Sequence, residues 1–413
     1  MKTHHLLLGL LLPLFFACGG ADSGQSADAH FTVSNSLNAP RKDALVLLQA
    51  KDLATNYPSI DWSAVKFMEG ENNIPFQAND DDGDGQVDAF ALVLNFAEGE
   101  EKTITIKPLS EGEAPPVFEK RTQAELSHKI NGAWNGREYE GGEFQNVDYL
   151  RVPPEHTDHS WFIRYEGPGW ESDRIGYRFY LDWRNATDIF GKKTTGMVLQ
   201  NVGQDGFDSY HEPADWGQDI LKVGESLGIG SLGTWTGDTA LRVETTDSLQ
   251  CRIVLNGPVE SLIRTNYYGW KVGDISTDVN SQLSISAGSR MTRHDVSLSN
   301  ALPNLCTGIV KDDKASLFHH ENGSWGYIAT WGKQSLADDH LGMAVLYPKN
   351  DLLEITEDSH SHVVVLSPEN KHLTYYFLAA WEQEPGGIQT EEAFKKYLDG
   401  LLMELGMPLT VKF

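Results

Sequence analysis

The chain has 413 residues, of which 33 are Lys or Arg and 59 are Asp or Glu, so its formal net charge is −26 at pH 7. Such an acidic chain lacks the basic surface that binds nucleic-acid phosphates, and an anionic lipid surface would repel it. Hydrophobic residues make up 40% of the chain, which is enough for a packed core and argues against global disorder. The length allows two or three domains of roughly 100–200 residues each.

The amino terminus has the pattern of an export signal. The apolar run Leu6–Phe16 is too short to span a bilayer as a stable helix. The next residues, Ala17-Cys18-Gly19, resemble a bacterial lipoprotein cleavage site. We therefore expect a signal peptide over 1–17, lipidation of Cys18 as the only membrane attachment, and a flexible tether over 18–29. The protein would then be exported to the outer membrane or periplasm of a Gram-negative bacterium; the alternative is ordinary cleavage that leaves Cys18 unmodified.

Two further cysteines, Cys251 and Cys306, remain in the mature chain. In an exported protein they could form one disulfide, and two buried free thiols are the alternative. Their spacing matches no zinc motif.

Residues 30–108 are expected to form a small β domain. Short strand-like runs separated by turn residues predict an immunoglobulin-like sandwich, and these runs are Phe31–Val33, Ala44–Leu47, Ala64–Phe67, Ala89–Leu94 and Thr103–Ile106. A linker rich in Ser, Glu, Gly and Pro follows over 109–120.

An Asp-rich hairpin lies inside this domain. Its carboxylates match positions 1, 3, 5 and 9 of a calcium loop, at Asp80, Asp82, Asp84 and Asp88. Ala91 stands where an EF-hand requires a bidentate Glu, so the loop is not an EF-hand. Structural calcium and a solvated hairpin tip are both open interpretations, and neither is catalytic.

The remaining residues, 121–413, contain many β runs separated by Gly, Asn and Asp. This spacing predicts a large antiparallel sandwich and not alternating β/α units. No Walker motif is present, and residues 224–228 and 228–233 match GxSxG and GxGxxG only as bare patterns. Because both motifs act in alternating β/α units, which this part of the chain is not expected to form, a nucleotide cofactor and α/β-hydrolase chemistry are disfavoured. One helix is expected near the end, with Thr390 as its cap, an apolar face over Phe394–Leu405, and Gly406 at its end.

The stretch 161–193 is unusually dense in aromatic and charged side chains. If Gly176–Trp183 forms a strand, Arg178, Tyr180 and Asp182 share one face. Such a face fits the wall of a polar cleft, and the alternative is a buried Arg–Asp network that only positions loops. The stretch holds four arginines, at Arg164, Arg174, Arg178 and Arg184.

The stretch 208–224 contains a second group of candidates. A short helix starting at Asp215 would align Asp215, Asp219 and Lys222 on one side. The preceding pair, Tyr210 and His211, suggests an acid–base site, because imidazole titrates near neutrality. In a regular strand these two adjacent side chains would face opposite ways, and local hydrogen bonding by His211 is the alternative.

Motifs in these two stretches, over Tyr165–Lys192 and Tyr210–Gly228, resemble those of a known family. The chain resembles a bacterial family long catalogued as a domain of unknown function. Its members occur in polysaccharide-utilisation gene clusters, mostly of Bacteroidota, and one branch resembles the oligosaccharide dehydratases of ulvan breakdown. The resemblance implies a β-supersandwich like those of sugar mutarotases and several polysaccharide lyases.

The leading hypothesis is thus a lyase that dehydrates the non-reducing-end uronic acid of an anionic oligosaccharide. A cation must neutralise the substrate carboxylate, and the candidates are Arg164, Arg178 and Lys222. A base must take the C5 proton, for which we select His211, and the candidates for the acid that protonates the leaving hydroxyl are Tyr210, Tyr268 and His294. Trp170 and Trp216 are expected to stack on the sugar ring, near Asp215.

Two other classes of function remain open at this point. One is a non-catalytic sugar-binding or mutarotase-like lipoprotein, in which the polar face only holds the sugar. The other is glycoside hydrolysis, which needs two carboxyl groups roughly 5–10 Å apart across a cleft; Glu166, Glu171 and Asp173 are the candidates.

Overall fold

The computed structural model of the chain describes residues 29–206 and 209–413. The fold is mostly antiparallel β with a helix near its carboxyl end, which confirms the predicted fold class. The predicted signal peptide, Cys18 and all but the last residue of the tether lie outside the described residues. Within the described ranges, no helix has the length and apolar character that a membrane crossing requires.

The first unit is a sandwich of two sheets with its own apolar core, which includes Phe31, Phe67 and Phe90. All five predicted strand runs are present. A short helix that the sequence did not suggest, α1 (Ala50–Asn56), follows the second strand and buries Leu53. The strands are β1 (Ala29–Ser34), β2 (Arg41–Gln49), β3 (Val65–Glu69), β4 (Asn72–Asn73), β5 (Phe76–Asn79), β6 (Ala89–Phe96) and β7 (Glu101–Pro108).

The described residues of the second unit form 21 strands. They are β8 (Thr122–Glu125), β9 (Ser127–Asn135), β10 (Glu138–Asn146), β11 (Tyr149–Arg151), β12 (Gly169–Ser172), β13 (Gly176–Phe179), β14 (Thr187–Lys192), β15 (Gly217–Asp219), β16 (Gly233–Trp235), β17 (Ala240–Arg242), β18 (Ser248–Asn256), β19 (Glu260–Val272), β20 (Ile275–Ser286), β21 (Met291–Leu298), β22 (Leu305–Val310), β23 (Ala315–Asn322), β24 (Trp325–Gly332), β25 (Leu341–Pro348), β26 (Leu352–Glu357), β27 (Ser361–Leu366) and β28 (His372–Trp381).

These strands form a large sandwich. One layer is a nine-stranded sheet in the order β11-β18-β19-β20-β21-β28-β25-β24-β23. The other contains two five-stranded sheets, β17-β16-β22-β27-β26 and β15-β14-β13-β12-β8, and we call the latter the cleft sheet. A single apolar core joins all three, with Tyr177 from the cleft sheet, Phe377 from the nine-stranded sheet and Val364 from the third. The hairpin β9–β10 stands apart as a two-stranded sheet.

The carboxyl-terminal helix, α2 (Glu391–Gly406), is confirmed together with its cap. The Thr390 side chain accepts a hydrogen bond from the Ala393 N–H at 3.1 Å. Phe394, Leu398 and Leu402 are buried against the outer face of the nine-stranded sheet. The chain then leaves the second unit, since its last strand, β29 (Thr410–Lys412), pairs with β1 of the first unit.

The two units meet where β5 approaches β19. The Asn79 side-chain amide donates to Glu260 Oε2 at 2.7 Å, and Arg264 donates to the Asp81 carbonyl at 2.5 Å. Glu260 is only 8% exposed, and burial raises its pKa to about 7. The contact thus holds an acidic group whose charge changes near neutral pH.

Candidate functional site

The outer face of the cleft sheet is polar and yet buried. Along β12 and β13, Trp170, Tyr177 and Phe179 point into the sandwich core. Arg178 points the other way and bonds to Tyr180, so these two share a face as predicted. Asp182 lies beyond the strand in a turn, where it binds Arg184. Residues 193–206 and 209–216 cover the face with an apolar cluster that includes Val202 and Tyr210.

Arg178 is the centre of a buried hydrogen-bond network on this face. Its guanidinium donates to Asp188 Oδ2 at 2.7 Å and to Asp219 Oδ2 at 2.6 Å. It also donates to the hydroxyl oxygens of Tyr210 at 2.8 Å and Tyr180 at 3.0 Å. Burial, together with the neighbouring Asp188 carboxylate, raises the pKa of Asp219 well above its usual value. We refer to these five residues as the Arg178 network.

Tyr210 and His211 both reach this network. They lie in the 3-10 turn Ser209–His211 and not in a strand, so adjacent side chains can face the same way. Their ring centroids are 4.6 Å apart, and His211 Nε2 lies 3.5 Å from Asp219 Oδ2. The expectation that strand geometry would separate the pair is therefore wrong for this segment.

The predicted helix from Asp215 is absent. The segment forms strand β15 at the edge of the cleft sheet, which buries Asp219 and leaves Asp215 and Lys222 exposed. Asp215, Asp219 and Lys222 therefore do not form one side of a helix. The neighbouring Trp216 is half-buried, with its ring edge-on to Phe190 at 5.9 Å.

A second ion network borders the first. Arg184 contacts Asp158 Oδ1 and Glu166 Oε1, each at 2.9 Å, and Asp182 Oδ2 at 2.5 Å. Its guanidinium carbon lies 3.8 Å from the ring centroid of Tyr180, which joins the two networks. Burial alone would raise the pKa of Glu166, but the Arg184 and Arg178 charges lower it to about 2.

His159 extends this second network to a cavity, and the sequence analysis missed it. Its Nδ1 lies 2.6 Å from Asp158 Oδ1, and its backbone N–H donates to Glu166 Oε1 at 2.9 Å. The cavity itself is small, about 10 Å³, which is room for about one water molecule, and it opens to solvent, so a sugar ring would rest at its mouth. Its walls are Phe144, His159, Trp161, Ile163, Tyr165, Glu166 and Gly206. The available sequence signal was the close run His156-Thr157-Asp158-His159.

The backbone around the cavity is strained. His159, Trp161, Tyr165 and Glu166 have φ angles of 56°, 63°, 38° and 71°, in the left-handed region that side chains other than glycine rarely adopt. Each such residue costs on the order of 1–3 kcal/mol, and this kind of strain concentrates at functional sites. Because the strained residues cluster along one wall of the cavity, they support the interpretation that the cavity is the functional site.

A metal ion fits this wall poorly. Ligand atoms of Asp158, His159 and Glu166 lie within 4.8 Å of one another. However, the Arg184 guanidinium already binds both carboxylates, and its positive charge would repel a cation placed between them. We therefore interpret the group as an ion-pair network.

Arg164 and Trp170 are located too deep to touch a sugar. The Arg164 side chain is fully buried, forms an ion pair with Glu125 and donates to backbone carbonyls such as Leu199 O at 3.2 Å. Trp170 is fully buried in the sandwich core and donates to Thr292 Oγ1 at 2.9 Å. Their predicted substrate-binding roles are therefore wrong for this conformation, and both residues are structural.

Tyr268 and His294 lie on the nine-stranded sheet and outside the Arg178 network. His294 is buried in the core beside Ser281 Oγ at 2.7 Å, and burial lowers its pKa to about 4. Its imidazole is therefore neutral near pH 7 and cannot serve there as the expected proton donor. Tyr268 is 37% exposed in β19, opposite Ser248 of β18.

The arginine-rich stretch does not form a free cationic patch. Arg164, Arg178 and Arg184 are each paired with at least one carboxylate, and Arg174 reaches the Pro385 carbonyl at 3.4 Å. The alternative of a buried Arg–Asp network is therefore the better description of Arg178.

The Asp-rich hairpin brings three of its four predicted ligands together. Carboxylate oxygens of Asp80, Asp82 and Asp88 lie within 4.8 Å of one another. Asp84 is outside this group, and its carboxylate accepts the Gln86 backbone N–H at 2.8 Å. Cys251 and Cys306 are both buried free thiols and do not form a disulfide.

Comparisons with known proteins complete the description. No curated protein matches the sequence. Two solved structures from Enterococcus faecalis, titled as a protein in glycosyl hydrolase family 38 and as an alpha-mannosidase, are each 10% identical, with TM-scores of 0.45 and 0.39. Both alignments cover 93% of this chain but only 47% and 45% of those proteins, so the chain spans less than half of their length. The model of the family described as "Domain of unknown function (DUF4861)" matches residues 33–411, and the chain therefore belongs to this family.

Proposed function

We propose that the protein is a carbohydrate-active lyase that removes water from the non-reducing-end uronic acid of an oligosaccharide. The supporting observation is that two imidazole–carboxylate pairs, His159–Asp158 and His211–Asp219, lie on two joined networks, and that His159 also lines the cavity. Elimination of water needs one group that takes a proton and one that gives a proton, and this arrangement offers both. The family resemblance to oligosaccharide dehydratases supports the choice of substrate.

The surroundings of the two pairs suggest which histidine is the base and which is the acid. Asp219 is fully buried beside Asp188, so its pKa is raised and the His211–Asp219 pair tends to retain a proton. Asp158 is partly exposed, is bound to Arg184 and orients His159 through Nδ1. Divergent environments of this kind separate acid from base in one site. We therefore assign His159 as the base and His211 as the acid, which changes the role expected for His211.

The reaction balances with these two groups. His159 takes the C5 proton, the electrons of the C5–H bond form the C4=C5 double bond, and the C4–O bond breaks. The hydroxyl leaves as water with the proton that His211 supplies. Arg184, which is 12% exposed at its side chain, would share its charge between Glu166 and the substrate carboxylate, which makes the C5 proton more acidic. Trp161, in the cavity wall, would pack on the sugar ring.

The product provides a direct test. Purified protein is incubated with oligosaccharides that end in a uronic acid and with matched oligosaccharides that end in the neutral sugar. The proposal predicts ultraviolet absorbance of the conjugated product and the loss of one water in the mass spectrum, with the uronate series only. Absence of both signals across several uronate linkages would sink the proposal.

One observation favours a second candidate, which is a mutarotase-like or purely sugar-binding protein for neutral sugars. Arg178 and Arg184 are already neutralised by carboxylates, and Glu166 adds negative charge to the cavity wall. A neutral sugar would meet no repulsion there. This candidate predicts binding, or faster exchange between anomers in the NMR spectrum, without an unsaturated product.

The same wall argues against hydrolysis by paired carboxylates. A glycosidase needs one carboxylic acid that is still protonated near neutral pH. The pKa of Glu166 is about 2, so this group stays ionised and cannot protonate a leaving group. Glu171 is fully buried in an ion pair with Lys192, which keeps it away from any sugar.

A further inference from the structure

We propose that Trp183 forms a second sugar-binding subsite at the edge of the cavity, which holds the ring that follows the reacting one. This inference rests on the proposed function, because it assigns an oligosaccharide to the same site. Trp183 is 46% exposed, which makes it the most exposed tryptophan of the described residues. Folding leaves most of the burial energy of this large ring unused, so the ring remains available to a ligand.

The turn that presents Trp183 is held rigidly. It joins β13 to β14, and Asp182 Oδ1 accepts the Arg184 backbone N–H at 2.9 Å. The Asn185 backbone N–H donates to the Asp182 carbonyl at 3.0 Å, and its side-chain amide donates to the Val243 carbonyl. A rigid turn lowers the entropy lost when a ligand binds, so Trp183 is a preorganised surface.

One face of the Trp183 ring is covered by a cation. The Arg242 guanidinium carbon lies 5.3 Å from the ring centroid, within the range of cation–π attraction. Arg242 is only 7% exposed and donates to the Ser226 carbonyl at 3.0 Å, so it fixes the ring from below. The other face can then receive the C–H face of a sugar, because the π face is electron-rich.

The position of Trp183 links it to the reacting end. The next residue, Arg184, binds Asp158 and Glu166 at the cavity wall, and successive Cα atoms are about 3.8 Å apart. Trp183 is therefore next in sequence to a residue that contacts the cavity wall, while its own ring is not part of the cavity lining. The ligand that would use both places is an oligosaccharide of at least two rings.

The test measures binding in the His159→Ala background, so that turnover does not interfere. Calorimetry compares glucuronic acid with a disaccharide and a trisaccharide that end in it. Trp183→Ala should weaken binding of the two oligosaccharides roughly fivefold and leave binding of the monosaccharide unchanged, since an aromatic stack contributes about 1 kcal/mol. Trp183→Phe should restore most of the affinity. This recovery would show that the Trp183→Ala variant binds weakly because it lacks the ring and not because it is misfolded.

Tyr149→Ala is the matched control. Tyr149 is 42% exposed and also stacks on an arginine, Arg252, at 5.0 Å. Its neighbour Leu150 enters the sandwich core, so Tyr149 faces away from the core on the nine-stranded sheet and should not affect binding. Equal affinity of Trp183→Ala and its parent for the oligosaccharides overturns the subsite alone. If none of the three sugars binds, both the subsite and the proposed substrate are overturned.

Discussion

Glu260→Gln should stabilise the protein at alkaline pH and have little effect at acidic pH. Glu260 is 8% exposed in β19, and its carboxylate accepts the Asn79 amide from the first unit. Because burial raises its pKa from 4.5 to about 7, the folded state keeps the proton longer than the unfolded state. The stability associated with this proton is complete below about pH 4.5 and is lost as the pH rises through about 7.

The magnitude follows from the size of the shift. From 4.5 to about 7 is about 2.5 units, and each unit corresponds to about 1.4 kcal/mol, so the charged carboxylate costs on the order of 3 kcal/mol above neutral pH. Gln is neutral at every pH and retains an oxygen for Asn79. The free energy of unfolding of Glu260→Gln minus that of the parent should therefore increase by up to about 3 kcal/mol between about pH 4 and about pH 8.

Urea titrations at both pH values measure this difference. Glu354→Gln, at an exposed position in β26, is the control and should show almost no change between the two conditions. The reasoning is refuted if Glu260→Gln and its parent differ by the same amount at both pH values, because burial of the carboxylate would then not control its charge.

Three further predictions concern other parts of the chain. Glu171→Gln should lower the free energy of unfolding by about 3–5 kcal/mol, since it leaves the fully buried Lys192 without its counter-charge; an unchanged thermal midpoint would contradict this. Calcium should raise the thermal midpoint of the parent, since Asp80, Asp82 and Asp88 converge, and Asp82→Asn should abolish that rise; an equal rise in the variant would rule out the hairpin as the site. Cys18→Ser should move the expressed protein from the membrane fraction to the soluble fraction, whereas unchanged fractionation would contradict lipidation.

Much of the fold could be predicted because burial patterns are local in sequence. The apolar runs of the first unit and the face of α2 repeat with the periods of a strand and a helix, and Thr390 caps the helix as expected. The final strand β29 was not predictable in this way. Its pairing partner, β1, lies at the other end of the chain, and no local pattern indicates such a distant pairing.

The site was predictable only in part, because ion pairing depends on tertiary contacts. Arg178, Tyr210 and His211 were identified from their density in two segments, and the structure brings all three to one network. The sequence left a buried Arg–Asp network open as an alternative, but it did not identify Asp188, Asp219 and Glu125 as the carboxylates that neutralise the arginines. His159 was missed because its partner contacts depend on a strained turn, which residue type does not reveal.

The most direct test of the central claim is the turnover of a uronate-terminated oligosaccharide by His159→Ala, with circular dichroism as the check that the variant is folded. If His159 is the base at the cavity, the rate of formation of the unsaturated product should fall by roughly 10²-fold or more. His294→Gln serves as a comparison, since this histidine is buried in the sandwich core, and it should retain turnover if it folds. A folded His159→Ala protein that forms the product at the parent rate would contradict the account.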